Sequence, residues 1–257
     1  MGTVYRASDL ALGRGVAVKM IREQLSGDFH AIKRFRREAQ ISAHFAHANI
    51  VTVFDFGIEA DDRAFLVMEL LRGTTLREEL RIHKKLEPAR TLIIFEQICA
   101  GVSAAHAMGV VHRDLKPENI FLDASGPIQQ VKITDFGIAK SFRQLSKDTL
   151  QTRTGVVIGT FDYMSPEQLS GQKLSPMWDI WALSVIAFES LCGTTPLSGG
   201  DIFSHQDIGS QIPQFTGNTT LQTSSLQKFF EATFHPAEAM RPQTVAAFWD
   251  SLRNALA

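Results

Sequence analysis

The feature that most constrains this chain is the segment 112–119, which reads His-Arg-Asp-Leu-Lys-Pro-Glu-Asn. It places a carboxylate at Asp114, an ammonium at Lys116 and an amide at Asn119 within a short stretch. An Asp-Phe-Gly motif at 135–137 begins 21 residues after Asp114, directly after a predicted strand. Each motif alone has an ordinary explanation, since an aspartate can cap a helix and three residues can form a turn. Their order and spacing in one chain favour a single site.

Composition narrows the class of protein. The 257 residues, 44% of them hydrophobic, suffice for a sizeable core and one or two domains. The formal net charge of -1 gives no strong field for nucleic acid or an anionic membrane, so we expect neither as a partner. The two cysteines, Cys99 and Cys192, are far apart and fit a reducing cytosol, which predicts a cytoplasmic location.

Two further observations bear on location and binding. The first twenty residues lack a long apolar run, so we predict no secretory signal. The apolar segment 177–192 contains Asp179 and Glu189, which favours a buried helix over a membrane span. A basic run at 33–37 lies on a predicted helix, where a solvated face explains it better than nucleic-acid binding.

The residue pattern changes near residue 70. Alternating β-branched and aromatic residues predict strands at 4–7, 16–20, 50–56, 64–70 and 131–134. A helix running to about residue 45 is expected between the second and third strands. Beyond 71–73 the periodicity is mostly helical, with helices predicted at 88–108, 177–192, 226–233 and 244–255. We therefore predict an α+β fold with a small antiparallel-sheet lobe at 1–70 and a larger helical lobe at 71–257.

From Val4 onward these motifs resemble the catalytic domain of Hanks-type serine/threonine protein kinases, most closely the prokaryotic branch. Lys116 favours the serine/threonine group over the tyrosine kinases. The resemblance implies a two-lobed protein-kinase-like fold over residues 1–257, with ATP and Mg²⁺ as cofactors. The implied activity is transfer of the γ-phosphoryl group to Ser or Thr hydroxyls of protein substrates.

The resemblance also implies roles for the motif residues. Asp114 orients the substrate hydroxyl and accepts its proton, and Lys116 neutralises the transferring phosphoryl group. Asn119 and Asp135 hold magnesium. Lys19 reaches the α- and β-phosphates and is held by an ion pair with Glu38. By itself a lysine at a strand end is more often a solvated charge, but the two downstream motifs reverse that weighting.

The remaining nucleotide-binding residues in this resemblance surround the adenine and the phosphates. They are Gly2 in the glycine-rich loop; Val4, Ala17 and Phe121 against the adenine faces; Met68 as gatekeeper; and Glu69 and Leu71, whose backbone groups meet the adenine edge.

Other positions point to regulation and to structural anchoring. The segment between 137 and 165 resembles an activation loop, and a phosphate on Thr152 or Thr154 would pair with Arg113. This predicts autophosphorylation, with self-association as a route to reaction in trans. Residues Glu167 and Arg241 match an ion pair that ties this segment to the C-terminal helices. Asp179 matches the residue that anchors the catalytic-loop backbone.

The resemblance has two departures. The family glycine loop reads G-x-G-x-x-G-x-V, and only Gly2 and Val4 match it here. Losing the earlier glycines and the first strand would weaken ATP binding and expose a strand edge. A mis-assigned start explains this better than a damaged kinase, because the downstream positions are complete. The second departure is Ser42, where the family usually places a large apolar residue.

Two other functions remain open at this stage. A non-catalytic pseudokinase scaffold is favoured by the missing lid and Ser42, and disfavoured by the full set of catalytic positions. A small-molecule phosphotransferase of the related two-lobe type is disfavoured by Lys116, the activation-like segment and the Ser-Pro-Glu motif at 165–167.

Overall fold

The computed structural model of the chain describes residues 3–24, 39–40, 46–59, 63–126, 128–136, 162–196 and 223–257. The chain forms two compact units. The first comprises Met1–Gly73 and Phe121–Val156, and the second comprises Thr74–Ile120 and Val157–Ala257. The chain therefore returns to the first unit at Phe121. The lobes predicted at 1–70 and 71–257 stay a prediction.

The first unit contains a four-stranded antiparallel sheet in the order β1-β2-β4-β3. Its strands are β1 (Thr3–Asp9), β2 (Arg14–Gln24), β3 (Val53–Ile58) and β4 (Arg63–Glu69). The predicted strands are present, but β3 begins three residues later than the predicted residue 50. The reason is that Val51 donates its backbone N–H to the Ile133 carbonyl, 2.9 Å away, and Ile50 forms only an isolated bridge to Ile133.

Alternation along β4 builds the core of this sheet. Ala64, Leu66 and Met68 are buried, and the residues between them are less so. Strand residues two apart share a face, so these three side chains point to the same side. Met68 lies opposite Ala17 on β2. Met68 and Ala17 form a buried cluster with Val51.

A second sheet has three short strands in the order β5-β6-β7: β5 (Gly73–Thr75), β6 (Ile120–Asp123) and β7 (Gln130–Ile133). Only β7 was predicted. The turn before β5 is fixed by polar bonds, because the Asp123 carboxylate accepts the Arg72 N–H at 2.7 Å and the Arg72 carbonyl accepts the Ala124 N–H at 2.6 Å. Gly73 has φ 145°, and a Cβ there would lie 2.1 Å from the Leu122 carbonyl oxygen.

The second unit is helical. Its described helices are α1 (Leu76–His83), α2 (Pro88–Ala107), α3 (Pro166–Leu169), α4 (Met177–Cys192), α5 (Thr223–Thr233) and α6 (Val245–Leu256). The predictions for α2, α4, α5 and α6 are confirmed. Local chemistry sets their ends: Thr75 and Glu78 form a reciprocal capping box at α1, and Gly193 ends α4 with φ 81°.

Helix α4 is the centre of this unit. Every residue from Met177 to Leu191 is buried. Aromatic pairs bind it to its neighbours, with ring centroids 5.2 Å apart for Trp181 and Phe234, and 5.1 Å apart for Phe188 and Phe230. None of the helices in the described part of the chain is long and apolar enough to cross a membrane.

The predicted ion pair of Glu167 and Arg241 is confirmed. The Arg241 guanidinium donates to both carboxylate oxygens of Glu167, at 2.8 and 3.0 Å. It also donates to the His235 carbonyl at 2.8 Å, and its Cζ lies 4.7 Å from the centre of the Trp181 ring. Burial raises the pKa of Glu167. The hydrogen bonds from Arg241, from the Glu167 backbone and from Ser165, together with the charge of Arg241, outweigh burial and leave that pKa below its ordinary value.

A substitution at Gly73 tests how closely its backbone approaches the Leu122 carbonyl oxygen. We expect Gly73→Ala to lower the free energy of unfolding by about 2–6 kcal/mol, because backbone strain of about 1–3 kcal/mol adds to overpacking of about 1–3 kcal/mol. Gly13→Ala is the matched control in the same unit, since Gly13 also has a positive φ but has no atom within 4 Å of an added Cβ. It should cost only about 1–2 kcal/mol. Equal losses in urea denaturation would contradict this assignment.

The buried pair predicts a pH-dependent contribution to stability. Because the folded pKa of Glu167 lies below its ordinary value of 4.5, the ionised carboxylate stabilises the fold above that pH. This stabilisation is lost as the pH falls through the folded pKa. We expect Glu167→Gln to cost about 3–5 kcal/mol at neutral pH, since it leaves Arg241 buried without its counter-charge.

The difference between wild type and Glu167→Gln should shrink below pH 4.5, as measured by thermal unfolding across pH. Arg253→Gln is the control, because Arg253 pairs with Asp250 at an exposed position and such pairs contribute about 1 kcal/mol or less. A difference that stays constant down to the acid limit of the fold would refute the role of Glu167 ionisation.

Candidate active site

One buried carboxylate, that of Asp179, holds the backbone at the start of the segment 112–119. Asp179 on α4 accepts the backbone N–H of His112 at 2.7 Å and that of Arg113 at 2.9 Å. Its further contact is with Nε2 of His106, 2.8 Å away. Arg113 has φ 69°, a conformation that costs energy for a non-glycine residue. The predicted anchor is therefore confirmed, and it fixes the backbone immediately before Asp114.

Asp114, Lys116 and Asn119 lie together in the second unit. The Lys116 ammonium is 3.1 Å from Oδ2 of Asp114. The Asn119 amide nitrogen donates to the Asp114 carbonyl at 2.8 Å, because a 3₁₀ turn at Pro117–Asn119 brings it back over the loop. Lys116 and Asn119 are buried, and the Asp114 side chain is 17% exposed. The cluster thus presents a partly accessible carboxylate beside a fixed positive charge.

Asn119 and Asp135 each carry a side-chain oxygen of the kind that magnesium prefers. Magnesium prefers carboxylate and amide oxygens and retains waters and phosphate oxygens for its other positions. Since the Asn119 amide nitrogen is bonded to the Asp114 carbonyl, its Oδ1 is the atom suited to a cation. Asp135, in the first unit, has φ 63° and a carboxylate that is 32% exposed.

Lys19 is a buried cation on β2. Its residue exposure is 6%, and its ammonium contacts the carboxylate of Asp135. A buried ammonium needs such a counter-charge to offset the loss of hydration. The partner predicted from sequence, Glu38, lies outside the described residues, as do Gly2 and Ser42. The Lys19–Glu38 pair therefore stays a prediction.

The residues predicted around the adenine belong to the first unit. Leu71 packs against the cluster formed by Ala17, Val51 and Met68. Val4, on β1, lies opposite Lys19 of β2 and is 57% exposed. Phe121, on β6, is half-buried. The sheet register thus pairs Ala17 with Met68, and Leu71 packs against them, while the adenine contacts themselves stay predictions.

The side chain of Glu69 accepts two hydrogen bonds that were not predicted from the sequence. Its Oε1 accepts the Thr52 N–H at 2.7 Å and the Lys132 ammonium at 2.8 Å. Only the backbone of Glu69 had been assigned a role. A signal was available, because Lys132 lies in a strand between Val131 and Ile133, both buried, and a lysine there needs an internal partner.

A polar network around Arg77 was also missed. Arg77 on α1 donates to Glu118 at 2.8 Å and to Glu189 at 2.6 Å, and it also donates to the Tyr163 hydroxyl. The Tyr163 hydroxyl donates to Glu189 at 2.5 Å. Burial lowers the pKa of Arg77, but the hydrogen bonds to Glu189 and Glu118 and the charge interactions with Tyr163 and Glu189 together raise it by more, so the guanidinium stays charged. A signal for this network was present in the sequence, because Glu189 is a charged residue within the largely apolar helix α4.

The chain is similar to known proteins over most of its length. Residues 1–250 match the family described as the protein kinase domain. The serine/threonine-protein kinase PrkC of Bacillus subtilis is 37% identical, over 96% of this chain and 39% of that protein. PknA of Mycobacterium tuberculosis, also a serine/threonine-protein kinase, is 41% identical over 77% of this chain and 46% of that protein.

A third relative, the serine/threonine-protein kinase PknL of Mycobacterium tuberculosis, is 37% identical over 82% of this chain and 52% of that protein. This chain thus matches about half, or less, of the length of these relatives. The family match covers nearly the whole sequence and includes both units, with the anchored 112–119 segment and the Lys19–Asp135 pair. This chain belongs to the protein kinase domain family.

Proposed function

We propose that this chain is a serine/threonine protein kinase that transfers the γ-phosphoryl group of Mg-ATP to Ser or Thr hydroxyls of proteins. The observation that carries the proposal is the anchored cluster of Asp114, Lys116 and Asn119. The names of the relatives support the same reaction and the same class of acceptor. No observation in the described part of the chain favours a non-catalytic scaffold or a metabolite as acceptor.

At the acceptor side, the Asp114 carboxylate would orient the substrate hydroxyl and take its proton. The Lys116 ammonium, 3.1 Å from Asp114, would lie close to the phosphoryl group in transfer and stabilise its charge. Phosphoryl transfer depends on positioning and electrostatics more than on base strength. The Asp179 bonds to the loop backbone supply that positioning before any substrate binds.

At the nucleotide side, Lys19 would contact the phosphates, with Glu38 as its second partner. The N–H of Glu69 donates to the Thr52 carbonyl at 3.0 Å, so its carbonyl is the group offered to the adenine edge. The other nucleotide contacts proposed are Gly2, Val4, Ala17, Met68, Leu71 and Phe121. Magnesium would neutralise phosphate charge when bound, with Asn119 and Asp135 each giving an oxygen ligand.

Regulation and location are part of the proposal. Thr152 and Thr154 lie outside the described residues, and their phosphorylation would supply negative charge for Arg113. The two free cysteines favour a cytoplasmic location. Burial raises the pKa of both thiols, that of Cys192 to about 12, so neither is a ready nucleophile.

The first test is the catalytic carboxylate. The dephosphorylated chain with Mg-ATP should incorporate phosphate, followed by intact mass, and Asp114→Asn should slow this by about 10²–10⁴-fold. Asp250→Asn is the matched control, because Asp250 is an exposed carboxylate on α6 and its loss should leave the rate unchanged. Incorporation by Asp114→Asn at the wild-type rate, with an unchanged melting temperature, would rule out the proposed role.

The second test concerns the route of autophosphorylation. Wild-type chain mixed with Asp114→Asn chain should phosphorylate the inactive copy, with peptide mapping locating the phosphate at Thr152 or Thr154. Reaction in trans also predicts that the rate per molecule rises with protein concentration. Phosphate confined to the wild-type copy would exclude reaction in trans, and sites elsewhere would exclude the predicted threonines.

A further inference from the structure

A buried ion pair joins the residue after the predicted gatekeeper to the strand that precedes Asp135. The Lys132 ammonium lies 2.8 Å from Oε1 of Glu69, and the two side chains are 10% and 24% exposed. Sixty-three positions separate them in sequence. A buried ion pair is weak support for stability, because an apolar pair of the same shape often serves as well. The presence of this ion pair in the interior therefore points to a role in positioning β7 relative to Glu69.

A second connection between Glu69 and β7 begins at Thr52. The Thr52 N–H donates to Oε1 of Glu69 at 2.7 Å, and the Glu69 N–H donates to the Thr52 carbonyl at 3.0 Å. The side chain and the backbone of Glu69 therefore both bond to one residue. Because Oε1 accepts from Thr52 and Lys132 together, a shift of either group changes the bond to the other.

The segment 49–51, just before Thr52, is bonded in turn to β7. Val51 donates to the Ile133 carbonyl, and Ile133 donates to the Asn49 carbonyl, both at 2.9 Å. The Asn49 amide donates to the Val131 carbonyl at 3.0 Å. A closed circuit of hydrogen bonds thus joins Glu69, the segment 49–52 and β7. Within it, the Glu69–Lys132 pair links Glu69 directly to β7.

The circuit leads to Asp135. Strand β7 ends at Ile133, two positions before Asp135, and the Asp135 carboxylate contacts Lys19 on β2. The backbone between Ile133 and Asp135 is too short to absorb a displacement of the strand. The position of the Asp135 carboxylate therefore depends on where β7 is held relative to Glu69.

We propose that Glu69 and Lys132 are positioning residues that couple base binding at the Glu69 backbone to magnesium binding at Asp135. The inference rests on the proposed function, since it takes Glu69 as an adenine contact and Asp135 as a magnesium ligand. Lys132 touches neither nucleotide nor metal and acts through Glu69 and β7. The pair makes the nucleotide and the ion bind more tightly together than separately.

The test measures that coupling directly. A fluorescent ribose-labelled ATP is titrated into the full chain with Mg²⁺ and with EDTA, and the ratio of the two Kd values is the magnesium enhancement. Adenosine competition reports base binding alone. The main variant is the double substitution Glu69→Gln with Lys132→Met, because it removes both charges while the introduced amide oxygen can still accept the Thr52 N–H.

Two further variants complete the set. Lys132→Arg keeps the charge and should retain the wild-type enhancement. Arg253→Gln loses a cation from an exposed pair on α6 and should behave as wild type. The single variant Lys132→Met leaves Glu69 without its counter-charge, so unfolding of that variant has its own cause and the double variant decides the question.

We expect the double variant to lose about three- to tenfold in magnesium enhancement, with adenosine affinity changed by less than about twofold. An enhancement within twofold of wild type would overturn the proposal. So would a parallel loss of adenosine affinity, which indicates a purely structural role, or a wild-type chain without magnesium enhancement. A wild type with enhancement but no phosphate incorporation would refute the proposed function and leave the coupling measurable.

Discussion

The second unit depends on the burial of one carboxylate, that of Asp179. The side chain is 1% exposed and would be costly to desolvate without partners. Two backbone N–H groups and the His106 ring supply those partners at 2.7–2.9 Å. Because these donors come from α2 and from the loop that follows it, the buried charge can be satisfied only when that loop lies against α4. The cost of burying Asp179 thereby becomes a constraint on the conformation of 112–119.

Helix α4 carries a second buried carboxylate, Glu189, that acts on the same segment from the other end. Glu189 bonds to Arg77, and Arg77 bonds to Glu118. The two charges lie ten positions apart on a helix whose other faces are filled by aromatic and aliphatic packing. One rigid, apolar helix therefore holds the segment at its first residues and near its last. Its rigidity comes from packing, and its specificity comes from two polar groups.

The sequence predicts what is local and leaves out what is long-range. The spacing of Asp114, Lys116 and Asn119 identifies a cluster because a single turn joins them. Helices α2 and α4 follow from continuous apolar periodicity, and the Glu167–Arg241 pair follows from the family resemblance. The pairing of Arg77 with Glu189 and that of Lys132 with Glu69 could not be predicted, since these residues lie 112 and 63 positions apart and depend on packing. Strand β5 was missed because three residues carry too little alternation to distinguish it from a turn. Strand β6 was missed because Ile120, Phe121 and Leu122 are consecutive apolar residues and show no alternation.

The first unit uses buried charge in the same way. Lys19 on β2 contacts Asp135, and Lys132 on β7 contacts Glu69 at the end of β4. Apolar side chains in these places would bury as much surface, but dispersion contacts are not directional and would tolerate a slide of one strand past another. A lysine that must meet one carboxylate oxygen does not tolerate such a slide, because a displacement of an ångström or two leaves the buried ammonium without its counter-charge. We infer that these pairs fix the positions of β7 and Asp135 relative to β2 and β4, and that the cost of burying the two lysines is offset by this positional precision.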